Sequence, residues 1–440
     1  MKKLIKKIAK ILIQLLSILR IEQILKYFSY LLVIKNTRNR YSNKSSNEIN
    51  ALVIEKSGFD IDLLPLQKSQ NINLYLFPAN LLMTIVQSVL SEELHCQIEY
   101  HFYNDIKSTK QKNKIDKLFL KILPYLVKKL NINVILVKNF DYFEHQDLCK
   151  AAKKINLKVA VIYCESVTTK YSANSFTEVK SIKEEIDFPF DLILVSGPDG
   201  KNLLIENSVC TENQVAITGY CRTDIIHNSF KDRGSHKQNL VVLFDFGFED
   251  IVFYSDDGYG APKLAYSATE EFGKLSKNFK NKYKFVIKTR TNKNTKKVYD
   301  HLKKFGINDD DITVTGSLKM EEVVNNAKLV IGYTSTTTLE LFGTDIPFVL
   351  PYWFEAKQNS EEGNSFFESM HNPSYIPAES SDEYIEIISS ILNDNLKTSD
   401  PELLSNHRKN FIYNYLYYID GKASQRTFTS LKNLVFNNEK

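Results

Sequence analysis

The feature that most limits the fold of this chain is a repeated exchange between short apolar runs and stretches of helical length. NVILV over 133–137, KVAVIY over 158–163, LILV over 192–195 and LVVLF over 240–244 are the clearest runs. Each is short enough for one buried strand and is followed by residues with helical period. Alternation at this spacing gives parallel strands joined by right-handed crossovers, a Rossmann-like sheet. The first block adds strands at Ala51–Ile54, Asn73–Phe77, Gln97–Phe102 and Val215–Thr218. A second block has strands at Leu240–Phe244, Lys284–Lys288, Ile312–Val314, Leu329–Ile331 and Phe348–Leu350.

With 440 residues there is material for two or three domains with full cores. The polar run HNSFKDRGSHKQ (227–238) is the best candidate linker. The expected fold class is α/β: two Rossmann-like domains facing a cleft, with an N-terminal amphipathic helix and a helical C-terminal tail. The expected division is a basic segment with its linker over 1–47, a first domain over 48–226, and a second domain with the tail over 239–440. Two such sheets would line a cleft with their strand carboxyl ends.

The net charge of +5 is unevenly placed. Residues 1–40 carry ten Lys or Arg and one acid, so the remaining chain has 47 cations against 51 acids, near −4. A body of that sign is not built for nucleic acid. Within 1–34, Ile5, Ile8, Leu12, Leu15 and Leu19 share one helical face, opposite Lys3, Lys7 and Lys10. The longest uncharged run, Ile11–Leu19, is shorter than the roughly 20 residues a membrane span needs. A helix lying on an anionic membrane surface fits this pattern, which places the protein in the cytoplasm, peripheral on the inner face of the cell membrane. The same period also suits a helix packed on the protein's own core. Five scattered cysteines with no CxxC pair point to reduced thiols rather than disulfides or zinc.

Function is best argued from KLVIGYTSTTTLELFGTDIPFVLPYWFE, residues 328–355. It reads as strand, polar turn, short helix and strand, with Thr334, Ser335, Thr336, Thr337 and Thr338 where the helix begins. Hydroxyl residues cap the free N–H groups of a helix start. Those N–H groups and the helix dipole favour an anion, as in nucleotide-phosphate sites at strand carboxyl ends. Ser335, Thr336 and Thr337 are the expected phosphate contacts. Glu340, one turn further in, is expected at the donor's hydroxyls. In KFVIKTRTN (284–292), Lys288 and Arg290 leave the strand on one side at the period of two and would complete a diphosphate clamp. In ITGYCRTD (217–224), Gly219 permits a tight turn; Arg222 could grip phosphate or form a structural ion pair with Asp224.

The order of these motifs resembles the C-terminal half of GT-B glycosyltransferases of bacterial surface polysaccharide synthesis. It is particularly similar to the CDP-glycerol glycerophosphotransferase-like family. That family carries TGYPRxD before the nucleotide domain and DYSSxxxD at the donor site. Thr218, Gly219, Tyr220, Arg222 and Asp224 match the first, with Cys221 where proline is usual. Ser335, Thr336 and Glu340 match the second, with Tyr333 nearby and Gly332 where an acid is usual. Two departures stand out within the wider chain: Thr289-Arg290 replaces a His-Pro, and Cys164-Glu165-Ser166 replaces a Gln-His-Gly turn.

The resemblance implies transfer of a sugar from a nucleotide-linked donor to a lipid-linked or polymeric surface glycan. It implies an acceptor side, with any general base, in the N-terminal domain. Glu165, at the end of the KVAVIY strand, is the expected base, with Asp60 and Asp141 as weaker alternatives. No cofactor and no metal are expected: the Asp256-Asp257 pair in the 247–262 loop lacks a DxD-type surrounding. Transfer of a polyol phosphate from a CDP-polyol, a nucleotide-sugar 2-epimerase-like reaction, and a non-catalytic glycan-binding subunit are the other readings.

Overall fold

The computed structural model describes residues 22–44, 48–56, 58–89, 106–140, 143–164, 189–245, 262–289, 292, 294–333, 336–357, 374–395 and 401–436. Among them the elements run α1 (Glu22–Arg38), β1 (Ile49–Ile54), α2 (Asp60–Ser69), β2 (Ile72–Phe77), α3 (Ala79–Val89), α4 (Ile106–Leu130), β3 (Val134–Val137), α5 (Phe143–Lys154), β4 (Lys158–Ile162), β5 (Leu192–Val195), α6 (Pro198–Glu206) and β6 (Val215–Ile217). There follow α7 (Thr223–Asp232), β7 (Leu240–Asp245), α8 (Pro262–Phe279), β8 (Lys284–Thr289), α9 (Thr295–Lys303), β9 (Thr313–Thr315), α10 (Met320–Asn326), β10 (Ala327–Ile331), α11 (Thr336–Leu341), β11 (Phe348–Pro351), β12 (Ile376–Ala378), α12 (Ser381–Leu392), α13 (Pro401–Leu416) and α14 (Ala423–Phe436). The expected strand at 97–102 lies outside the described residues. The edge strand β12 has no clear apolar run to mark it in the sequence.

Both sheets are six-stranded, and every pair of neighbouring strands is parallel. The first has the order β2-β1-β3-β4-β5-β6 and the second β12-β11-β10-β7-β8-β9. The chain divides into two compact units. Among the described residues, one holds those up to Arg222 together with Lys422 onward; the other is Thr223–Gly421.

This division corrects the expected tail. The side chains of a strand alternate between the faces of its sheet, and a parallel sheet needs cover on both. Leu52, Ile54, Ile135, Val137, Val159 and Val161 face one cluster, filled from α1, α3, α4 and α5. Ala51, Val53, Val134, Leu136, Ala160 and Ile162 face the other, where α2 supplies Leu63 and Leu66. That second face is completed by α14: Leu431 is fully buried there, with Phe428, Leu434 and Val435 packed around it. The last helix therefore belongs to the first unit, although the whole stretch Thr223–Gly421 separates it in sequence from the rest of that unit.

Two further expectations change. Helix α1 is not separable from the body in its described part, because Leu25 and Val33 lie in the first core and the Thr37 hydroxyl accepts the Leu76 N–H at 2.8 Å. Residues 1–21 lie outside the described residues. The supposed linker at 227–238 starts inside α7 and continues into a 3-10 turn at Arg233–Ser235. Arg233 is buried and donates to the carbonyls of Val324 and Ala327 at 2.8 and 2.7 Å, and to Asp345 at 3.0 Å, which fastens this polar stretch to the second unit. Asn228, Lys231, Asp232, His236, Lys237 and Gln238 are exposed, and among the described residues of the stretch Arg233 alone is buried.

Candidate functional site

Counted within its own unit, the second sheet has the order 3-2-1-4-5-6, the nucleotide-binding Rossmann order. Its strand order reverses between β7 and β10, and ligands of open α/β sheets bind outside the carboxyl ends at such a point. Leu243 pairs with Ile331 there, and Asp245, the last residue of β7, pairs with Thr289 of β8. Asp245, Thr289 and Tyr333 are all buried, so this edge is polar beneath its surface. Gly332 follows β10 directly. A Cβ at that position would sit 3.2 Å from the Phe348 ring, so Phe348 packing leaves no space for a side chain without a local shift.

Helix α11 starts at Thr336, as the hydroxyl run predicts. Thr337 is half-buried and Glu340 is buried one turn in. Behind them Phe342 packs against Phe348 and Phe411, with the Arg408 guanidinium over its ring at 5.5 Å. Arg408 is itself buried and donates to the carbonyls of Thr344 at 2.7 Å, Ile346 at 3.1 Å and Ser374 at 3.0 Å. It pins the β10–β11 connection through α13. Burial lowers its pKa to about 10.

Lys288 occupies the penultimate position of β8, next to β7. It is half-buried, and burial alone lowers the pKa of its ammonium. Among the described residues no carboxylate pairs with it. A partly desolvated cation without a counterion costs free energy that an incoming anion would recover. Arg290 and Ser335, the other expected members of the clamp, lie outside the described residues.

A second helix start at this edge is already filled. Helix α8, which follows β7, presents the N–H groups of Lys263 and Leu264 to the two carboxylate oxygens of Glu355 at 3.1 and 3.2 Å. In the Rossmann order the helix after the first strand is the usual phosphate holder. Here a side-chain carboxylate takes that place. Glu355 follows Phe354, whose φ of 50° aims the chain back across the edge. Its only sequence signal was an acid just past a strand end.

The first unit closes its carboxyl edge differently. Gly219 turns the chain at φ 75°, as expected. Arg222 then reaches the fully buried Asp62, its Nε lying 3.0 and 3.1 Å from the two carboxylate oxygens, and its backbone N–H donates to Asp62 at 3.2 Å. The Cys164 thiol donates to the same carboxylate at 3.2 Å, and burial followed by Asp62 pushes its pKa well up. The Tyr220 hydroxyl donates to the Cys164 carbonyl at 2.9 Å, with Arg222 stacked over its ring at 5.0 Å. Arg222 is thus committed to a structural cluster in the unit that does not contain Lys288. Asp62 was missed because it reads as one more acid in a helix's first turn. The cysteine in place of proline also has a role: the Cys221 thiol donates to Thr427 of α14 at 3.4 Å. Arg426 Nε of the same helix donates to the Thr218 carbonyl at 2.9 Å.

Lys288, Thr336, Thr337 and Glu340 therefore share one carboxyl edge. Glu165, Asp141 and the 247–261 loop residues lie outside the described residues, and Asp60 is exposed in the first turn of α2. Among the described residues no three His, Cys, Asp or Glu side chains are grouped to hold a metal ion. Nor is any described helix long and apolar enough to cross a membrane.

No protein family's sequence profile matches this chain, and no curated protein matches it. Solved structures do. A UDP-GlcNAc 2-epimerase from Neisseria meningitidis, bound to UDP-GlcNAc, superposes with TM-score 0.51 at 13% identity over 87% of this chain and 99% of that one. A putative UDP-N-acetylglucosamine 2-epimerase from Listeria monocytogenes gives 0.51 at 11% identity over 89% and 98%. The wall teichoic acid polymerase TagF, soaked with CDPG, gives 0.52 at 10% identity over 98% of each chain. With two parallel Rossmann-like sheets and these likenesses, the chain has the GT-B fold.

Proposed function

We propose that the chain is a GT-B transferase that binds a nucleotide-linked donor at the β7–β10 edge of the second unit. The observation that carries this reading is Lys288: a half-buried ammonium beside a strand-order reversal, with no carboxylate partner among the described residues. Lys288 and Arg290 would meet the diphosphate from one side, with the N–H and hydroxyl groups of Ser335, Thr336 and Thr337 opposite. Glu340 would take the donor's ribose or sugar hydroxyls. Such fixed donors stabilise the charge that develops on a departing diphosphate. The transferred group would be a sugar and the acceptor a lipid-linked or polymeric surface glycan, with Glu165 removing the acceptor hydroxyl's proton. Support comes from structures of the same fold that hold UDP-GlcNAc and CDPG.

Transfer of a polyol phosphate is the second reading, favoured by the 98% coverage of TagF. Incubating the full chain with UDP-, GDP-, CMP- and CDP-linked donors and a lipid-linked glycan separates the two. A glycosylated product supports sugar transfer, and a phosphodiester-linked product supports the second. Nucleotide binding without turnover overturns both and favours a glycan-binding subunit.

The membrane side of the reading now rests on a narrower segment. Ile24, Tyr27 and Leu31 form an exposed apolar stripe on α1, at helical spacing, opposite its buried face. The ten cations of residues 1–40 would bring that stripe to an anionic surface. Removing residues 2–20 is expected to release the protein from anionic vesicles without unfolding it, whereas removing 2–34 takes Leu25 and Val33 out of the core. Unchanged vesicle partitioning after the shorter deletion would contradict the proposal.

A further inference from the structure

Helix α4 carries charge of almost one sign: eight lysines and a single acid, Asp116, in 25 residues. That acid is spent on the flank toward α5, where it pairs with Lys154. Lys114, Lys117, Lys121 and Lys128 recur at intervals of three, four and seven, so they share one helical face. The opposite face is the core side, with Ile115, Phe119, Ile122 and Leu126 buried in the first cluster. Lys114, Lys117 and Lys128 are exposed, and none of the three meets a carboxylate among the described residues.

Helix α1 runs alongside. The Tyr27 and Tyr30 rings lie 6.5 Å apart, Tyr30 meets Tyr125 of α4 edge-on at 6.2 Å, and the Lys129 ammonium sits 5.9 Å over Tyr125. The exposed ridge of Ile24, Tyr27 and Leu31 on α1 therefore borders the lysine face of α4. The same ridge continues at helical spacing into exposed Lys35 and Arg38.

Like charges three and four apart on a helix repel, so an anionic surface would relieve a cost that water alone leaves in place. A second copy of this face would add cations to cations, which argues against self-association. A nucleic acid would answer the lysines but has no use for the apolar ridge beside them. A bilayer answers both: headgroups meet the ammonium groups, and the ridge enters the acyl boundary. We infer that α4 is a membrane-contacting element, and that the first unit lies on an anionic lipid surface by its α1–α4 face. Helix α4 thereby extends the membrane contact proposed above, on which it rests, from the N-terminal segment to the folded body.

The test is cosedimentation of the full chain with mixed phosphatidylglycerol–phosphatidylcholine vesicles, with pure phosphatidylcholine as the neutral control. The triple variant Lys114→Gln, Lys117→Gln, Lys128→Gln should weaken partitioning about five-fold per lysine, roughly a hundred-fold together. The triple variant Lys284→Gln, Lys296→Gln, Lys303→Gln removes the same charge from the second unit and should stay near the wild-type value. All six lysines are exposed, so both variants keep the wild-type urea midpoint. Equal loss in the two variants would overturn the inference, since net charge rather than this face would then govern binding. Displacement of bound vesicles by an RNA oligonucleotide would overturn it too, making the face a nucleic-acid site. Wild-type partitioning in the α4 variant, with release on deleting residues 2–20, would sink the role of α4 and keep that of the N-terminal segment. Loss in the α4 variant with the deletion still bound would do the reverse.

Discussion

The two units treat a cation at the carboxyl edge in opposite ways. In the first, Arg222 is paired with the fully buried Asp62 and locked further by Cys164 and Tyr220. In the second, Lys288 is half-buried and no described carboxylate answers it. Both residues follow or end a strand, and both would pass as phosphate ligands on sequence alone. The difference lies in what the opposing helix supplies: α2 places an acid in its first turn, whereas α11 places hydroxyls. A neutralised cation builds structure. An unanswered one invites a ligand.

The largest test of that contrast is Asp62→Ala. Removing one partner of a buried pair leaves an uncompensated charge, so unfolding in urea should show a loss of about 3–5 kcal/mol. A loss below about 1 kcal/mol, the size of an exposed pair, would mean that the first edge is as open as the second. Leu431→Ala comes next, with an expected cost of about 2–5 kcal/mol, because the side chain is fully buried against the first sheet. A surface-sized effect would detach α14 from that unit.

Lys288→Met should have the smallest effect on stability, with little change or a slight gain, because no ion pair among the described residues is lost. The pH dependence has a definite sign. Burial holds the folded ammonium pKa below its unfolded value, so the cost of the buried charge is fully present below the folded pKa. It is relieved as pH rises through the unfolded one. The wild type should therefore gain stability relative to Lys288→Met across that alkaline window. A loss there would imply an anionic partner within the fold.

Much of this architecture was legible in the sequence. Runs such as VILV and LVVLF can only be buried strands, and their alternation with helical stretches specified two parallel sheets. The start of α11 was legible because hydroxyl residues after an apolar strand have one common use. What was hidden depends on long-range pairing. Asp62 and Arg222 are 160 positions apart. The return of α14 answers a sheet face that stays bare until the whole first unit is counted, and its own sequence looks like any amphipathic tail. Residues 227–238 misled because a polar composition does not distinguish a linker from a segment whose arginine is buried against carbonyls.

The central claim is that the unanswered cation of the second unit holds a donor's phosphates while the paired cation of the first does not. Isothermal titration of the full chain with UDP and CDP tests it most directly. Wild type should bind at least one of them, and Lys288→Ala should weaken it by about 1–3 kcal/mol, the range of a charge-assisted hydrogen bond. Wild-type affinity in Lys288→Ala would contradict the account.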